Sequence, residues 1–184
     1  MAFVPIRPRA LQIPDSRPLV TLGIGCVLTA RHPHRVRTIL GSCVAVILYV
    51  PRLRLSTLCH AQSPEPRHES RCREACPHPC RAQASVTNEF RYVTCCISAM
   101  LTDLSRLGCR KDELVATVVG GANVVKEIQP DRSVSGENVR IALEILGRER
   151  IRVARTDVGG NRGRTIVHLT DSNELDIQLH SPPK

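Results

Sequence analysis

The chain has 184 residues, 42% of them apolar, enough to bury a substantial core in one ordinary domain. Aromatics make up only 2% with no Trp, and the net charge of +9 comes almost entirely from Arg, so acidic partners are favoured while the stacking platform of a single-strand nucleic-acid binder is excluded. Nine Cys, an odd number with several inside apolar runs, do not form a disulfide framework. Neither a signal-peptide core nor a bilayer-length apolar stretch is present, so the composition describes a reduced, cytoplasmic chain without membrane insertion or a nucleic-acid partner.

Residues 1–18, rich in Pro and Arg, are expected to form a flexible N-terminal arm, and residues 19–184 a single domain. "LVTLGIGCVLTA", 19–30, alternates apolar and small residues and predicts a strand or strand pair. "RHPHR", 31–35, is a loop. A further strand carries Val36 and Thr38, turns at Gly41-Ser42 and continues as "CVAVILYV" to Val50. "LRLSTLCH", 53–60, alternates again, and "PR" before it suits a hairpin. Residues 61–90 change character, with much Pro, Arg, His and Cys and few aliphatics, and form a long irregular excursion that buries too little surface to offset its ordering entropy.

Order returns at "RYVTCCISAMLTDLSRLG", where Val93, Cys96, Ile97, Met100, Leu101, Leu104 and Leu107 recur at helical spacing and Gly108 supplies the stop. "DELVATVVGGANVV" predicts a buried strand ending at Gly120-Gly121. "SVSGENVRIALEILG" predicts a second amphipathic helix capped by Ser135 and Gly147. Three short strands separated by "VGGNRGR" and "TDSNE" complete the chain. Strands joined both by hairpins and by helices give an α+β fold: a layered β-sheet core with flanking helices, of the sandwich kind found in cysteine hydrolases.

Cys43 is the residue that raises a chemical question. It is either a small hydrophobe opening a buried strand, or a nucleophile held at that strand's mouth. Gly41 allows a turn that a side chain would obstruct, or leaves room for a substrate close to the main chain. A thiol there could share its own backbone N–H with the atom it attacks, as acyl chemistry requires. A base is then needed, since a free thiol with a pKa of about 8.5 is mostly protonated at neutral pH. His60, at the end of the next strand, can supply it if the two strands pair antiparallel, with Thr38 or Ser42 available to orient the imidazole.

Taken in order, "TILGSCVAVILY", a His followed by Pro four residues on, a helix, "VVGGANV", "SGENV" and "RTDVGGNRGRTI" resemble the CheD family, the chemoreceptor glutamine deamidases of bacterial and archaeal chemotaxis. The resemblance covers roughly residues 20 to 180. It implies that Cys43 is the nucleophile, His60 the base, and Thr38 the third catalytic member, with Arg37 as the adjacent candidate position. It further implies hydrolysis of receptor glutamine amides to glutamate and ammonia through a thioester, with γ-methyl esters as a side activity and no metal or organic cofactor. The implied partners are the cytoplasmic domains of methyl-accepting chemoreceptors and a chemotaxis phosphatase of the CheC type. Gly120-Gly121 and Gly159-Gly160 are expected to be turns needing positive φ. Asn138 and Asp157 either hold neighbouring loops or touch substrate.

Two features depart from the family pattern. In "CREACPHPC", Cys72, Cys76 and Cys80 stand at intervals of four with His78 between them, a donor set fit for zinc, although the spacing is not that of paired knuckles and Pro77 and Pro79 interrupt it. The family's leucine before the proline is Ser63 here. Two other function classes follow: an adaptor that binds receptors or the phosphatase with little turnover, and a metal- or nucleic-acid-binding module built on the excursion.

Overall fold

The computed structural model describes residues 16–65, 90–124 and 133–181. Two sheets and two helices form three layers, as the α+β reading expects. A five-stranded sheet runs in the order β2-β5-β4-β6-β7, from Cys26–Ala30, Leu55–Ala61, Val44–Val50, Val115–Gly120 and Arg152–Val158. A four-stranded sheet runs β1-β3-β8-β9, from Leu19–Thr21, Arg35–Leu40, Arg164–Leu169 and Leu175–Leu179. Helices α1, Val93–Arg106, and α2, Val134–Arg148, cover the outer face of the five-stranded sheet.

β4 is the central strand, and its sequence shows why. Six of the seven residues of "VAVILYV" are buried, so both faces must be covered. Val44, Val46, Leu48 and Val50 pack under the helices with Cys96, Ile97, Met100, Ile141 and Leu146. Ala45 and Ile47 point the other way, into the space between the sheets, where they meet Leu40, Ile166 and Val36. The alternation has period two, so the face of every neighbour follows from its number. Leu55, Cys59 and Ala61 of β5 face the helices, while Leu58 belongs to the inter-sheet core. On β3, Val36, Thr38 and Leu40 are buried and Arg37 and Ile39 lie on the open outer face.

The expected elements are present with some changes of boundary and placement. "LVTLGIGCVLTA" makes two strands in different sheets, β1 beside β3 and β2 beside β5. The expected continuation through Gly41-Ser42 likewise switches layers, since β3 and β4 belong to different sheets. The β4–β5 hairpin turns through a 3₁₀ turn at Pro51–Leu53, closed by Arg54 at φ 49°. Gly108, at φ 73°, follows α1 as expected. The cap of α2 is Ser133 rather than Ser135: the Ser133 hydroxyl accepts from the Gly136 N–H at 3.1 Å, while Ser135 is buried against it. Nor does Gly147 end α2. The helix continues to Arg148, and the left-handed residue beyond it is Arg150 at φ 56°.

Both margins of the Cys-rich segment are tied to the body. Gln62 and Ser63 donate their N–H groups to the Arg91 carbonyl at 2.9 and 3.0 Å, and Ser63 forms a bridge with Tyr92. Cys72, Cys76, His78 and Cys80 lie outside the described residues. Of the N-terminal arm, Arg17 is paired with Asp171 at 2.8 Å and the Pro18 carbonyl accepts from Arg35 at 2.9 Å.

Candidate active site

Three side chains converge between the sheets because three strand parities agree. Ala45 pairs with His60 in the antiparallel β4–β5 ladder, which ends at Val44–Ala61, so Cys43 follows the last pair on the face that Ala45 and His60 share. Cys43 and His60 are therefore diagonal neighbours on one face, a relation that long or aromatic side chains can span. That face is the inter-sheet one, where Cys43 packs with Leu40, Ala45 and Val119. Thr38 reaches the same space from β3 of the opposite sheet.

The hydrogen bonds fix the state of the imidazole. Thr38 Oγ1 donates to the Leu22 carbonyl at 2.8 Å and lies 2.8 Å from His60 Nδ1. A hydroxyl has one proton, and a carbonyl can only accept. With that proton committed to Leu22, Thr38 accepts from Nδ1–H, and in the neutral ring Nε2 carries the lone pair. Nε2 is buried and has no hydrogen-bond partner among the described residues. The main chain of His60 is held as well, its carbonyl accepting from Gly25 N–H at 2.8 Å, with Cys26 its partner in the β2–β5 register.

Exposure rises along the row, from 1% at Thr38 through 3% at His60 to 8% at Cys43, so the thiol is the outermost group. Burial lowers the His60 pKa below its ordinary value, with the Leu22 carbonyl beside the ring pulling the other way. Burial also raises the Cys43 thiol, partly offset by that residue's own backbone N–H, which lies against its sulfur. Both shifts favour the uncharged forms. A neutral imidazole in this tautomer carries its proton-accepting lone pair on Nε2.

The Gly-rich segments build the wall behind the cysteine. Gly121 N–H donates to the Cys43 carbonyl at 2.8 Å and Ala122 N–H to the Gly41 carbonyl at 2.9 Å. Gly120 has φ 115°, and a Cβ there would sit 2.3 Å from the Cys43 carbonyl oxygen. This close approach explains the glycine at 120. Gly159 and Gly160 also have positive φ, and their turn docks on the first through Gly159 N–H to the Gly120 carbonyl at 2.9 Å and Asn123 N–H to the Gly160 carbonyl at 2.8 Å. Arg164, 3% exposed, holds that turn by donating to Asp157 and to the Gly159 carbonyl.

Gly41 corrects one of its two expected roles. Its φ is not positive, and a Cβ there would meet only Val124 Cγ2 at 3.9 Å, an ordinary contact. The turn does not demand glycine, so only the open space beside the main chain remains as a reason. Asn138 and Asp157 both hold loops. Asn138 Nδ2 donates to the Ser42 and Gln62 carbonyls, each at 3.0 Å. The acceptor Leu22 was not foreseeable, because a main-chain carbonyl leaves no mark in a sequence. No helix among the described residues is long and apolar enough to cross a membrane.

The fold and this site define a layered α+β protein that presents a cysteine, an imidazole with a fixed tautomer and a hydroxyl bonded to it at one end of a two-sheet sandwich. The family model for CheD chemotactic sensory transduction matches residues 76–179. Over 164 residues, 89% of this chain and 86% of the relative, the sequence is 34% identical to a probable chemoreceptor glutamine deamidase CheD 1 of Anaeromyxobacter dehalogenans. It is 33% identical to the probable chemoreceptor glutamine deamidase CheD of Maridesulfovibrio salexigens, over 79% of this chain and 82% of that one. The corresponding protein of Methanococcus maripaludis strain S2 is 29% identical over 83% of this chain and 90% of its own. The chain belongs to the CheD family. The family model begins after Thr38, Cys43 and His60, but the 164-residue match in a chain of 184 takes in all three wherever it starts.

Proposed function

We propose that the protein is a chemoreceptor glutamine deamidase in which Cys43 is the nucleophile, His60 the general base and then acid, and Thr38 the group that orients the imidazole. Membership of the CheD family and the names of its relatives support the reaction. The observation that carries the residue assignment is the Leu22–Thr38–His60 chain, which commits Nδ1–H to Thr38 and leaves the basic lone pair on Nε2.

His60 Nε2 takes the thiol proton as Cys43 Sγ attacks the side-chain carbonyl carbon of a receptor glutamine. The developing negative charge on the amide oxygen is met by the Cys43 backbone N–H, and the imidazolium is stabilised by its bond to Thr38. Collapse breaks the C–N bond, and the imidazolium gives its proton to the departing ammonia. Water, deprotonated by the neutral His60, then attacks the thioester, releasing glutamate and restoring the thiol. The net charge of +9 favours docking on an acidic receptor surface. The protein works in the cytoplasm on the cytoplasmic domains of methyl-accepting receptors, and a CheC-type phosphatase is a further partner.

The test is ammonia release and glutamine-to-glutamate conversion on a cognate receptor cytoplasmic fragment. Conversion is expected with the wild type and is lost in Cys43→Ala and His60→Ala. A folded wild type that binds the fragment without converting it would instead make the protein an adaptor.

A further inference from the structure

Asn138 has no place in the chemistry above, and it is an expensive residue to have where it stands. It lies on the buried stripe of α2 with Ser135, Ile141, Ala142, Ile145 and Leu146, and is 0% exposed. An amide sealed from water is costly unless its groups are bonded. Its NH₂ group is fully used, one hydrogen to the Ser42 carbonyl and one to the Gln62 carbonyl, both at 3.0 Å.

Those two carbonyls straddle the reacting pair. Ser42 immediately precedes Cys43, and Gln62 follows His60 by two residues. The β4–β5 ladder ends at the Val44–Ala61 pair, and beyond it the strands part: the Gln62 N–H turns to Arg91 and the Ala122 N–H takes the Gly41 carbonyl. At that open end the Asn138 amide supplies the link that a strand neighbour would have made, tying the cysteine's chain to the histidine's. A helix residue thus holds the row in which Cys43 stands diagonal to His60.

We propose that Asn138 is a positioning residue that sets the alignment of Cys43 Sγ with His60 Nε2. The proposal rests on the assignment of Cys43 and His60 as the reacting pair. Its substitution by Ala removes both bonds while leaving the thiol, the imidazole and the Thr38 contact in place. A displacement on the order of 1 Å in a reacting pair can cost about a hundredfold in rate, so kcat should fall by about that factor in Asn138→Ala with KM for the receptor fragment little changed.

The experiment measures three quantities on the full-length wild type, on Asn138→Ala and on Ile145→Ala, a destabilising control in the same helix. They are kcat and KM for deamidation, the melting temperature, and the rate and pH profile of iodoacetamide alkylation at Cys43, read by mass spectrometry of its peptide. His60→Ala serves as the reference for an uncoupled thiol. The proposal expects the Asn138→Ala alkylation profile to move to that of His60→Ala and kcat to fall, while Ile145→Ala, melting no higher, keeps the wild-type profile and kcat. Equal effects in the two helix variants, or a wild-type alkylation profile in Asn138→Ala, would overturn it. Should the wild type fail to deamidate the receptor fragment, the functional reading fails, while the alkylation profiles still decide whether Asn138 aligns the pair.

Discussion

Among the described residues the inter-sheet space holds two buried histidines, each bonded to a hydroxyl that is itself anchored on a carbonyl, and only one of them shares its face of the sheet with Cys43 as a diagonal neighbour. At one end Thr38 joins His60 Nδ1 to the Leu22 carbonyl. At the other, Ser56 Oγ donates to the Thr170 carbonyl at 2.8 Å and lies 2.8 Å from His168 Nε2. Ser56 and His60 share one face of β5, four residues apart, or about 13 Å along the strand. The local chemistry is nearly the same, but the consequence differs. Thr38 holds the nitrogen nearer the main chain and leaves Nε2 without a partner among the described residues, whereas Ser56 ties up Nε2 itself. His168 is 0% exposed, and burial holds its pKa at about 4. In the proposed mechanism one module is the base, while the other is a polar strut. What separates them is which ring nitrogen the hydroxyl takes and what lies beyond the free one.

The sharpest way to break this comparison is to remove the two imidazoles in turn. His60→Ala is expected to abolish deamidation, by about 10⁴-fold or more, with the fold retained by circular dichroism. His168→Ala should keep kcat per folded molecule but lose about 3 kcal/mol of stability in urea titration, from the cavity and the bond lost by Ser56. Loss of turnover in both, or in neither, would dissolve the distinction.

Thr38→Val tests the tautomer. Without the hydroxyl, nothing obliges Nδ1 to carry the proton, and the Leu22 carbonyl loses its donor. A fall of about a hundredfold in kcat with KM unchanged is expected, and Thr38→Ser should restore most of it. An unchanged kcat in Thr38→Val would remove Thr38 from the machinery.

The pH response sharpens the contrast in a second way. His168 has its folded pKa depressed to about 4 against an ordinary value of 6.5. Between those values the unfolded chain binds the proton and the folded one does not, so stability present above pH 6.5 is lost as pH falls towards 4. At 1.36 kcal/mol per pKa unit the loss is about 3 kcal/mol, and it should disappear in His168→Leu. His60 is also lowered, so it remains a neutral base somewhat below pH 6.5, and the acid limb of kcat/KM should inflect below that value. A kcat/KM that already declines above pH 7 would contradict it.

The glycines behind Cys43 make a second contrasting pair. Gly120→Ala should lose soluble, folded protein, because the added methyl meets the Cys43 carbonyl oxygen at 2.3 Å. Gly41→Ala should change stability by less than about 1 kcal/mol and act mainly through KM for the receptor fragment. A strongly destabilised Gly41→Ala would restore the turn requirement that its φ excludes.

Much of this was legible from residue order. The period-two parity of "RTIL" and of "CVAVILYV", with the turn between them, already places Thr38 and Cys43 on definable faces, and the family resemblance singles out His60. That residue 38 points inward and residue 37 outward needed the structure, since only the sheet pairing shows which face of the strand is covered. The Leu22 acceptor and the Ser56–His168 strut were illegible because both depend on contacts between sheets. Ser135 was the wrong cap for a related reason. Two serines two residues apart offer the same local signal, and burial of the second against the first decides which one caps. Gly41 misled because glycine marks either a conformation or an open space, and sequence does not tell these apart.

The most direct test of the account is to quench the reaction with receptor fragment in acid and measure the mass of the Cys43 peptide. The account predicts a glutamyl adduct on Cys43 that hydroxylamine releases and that Cys43→Ala never forms. Glutamate appearing at an undiminished rate in Cys43→Ala, with no adduct on the wild type, would contradict it.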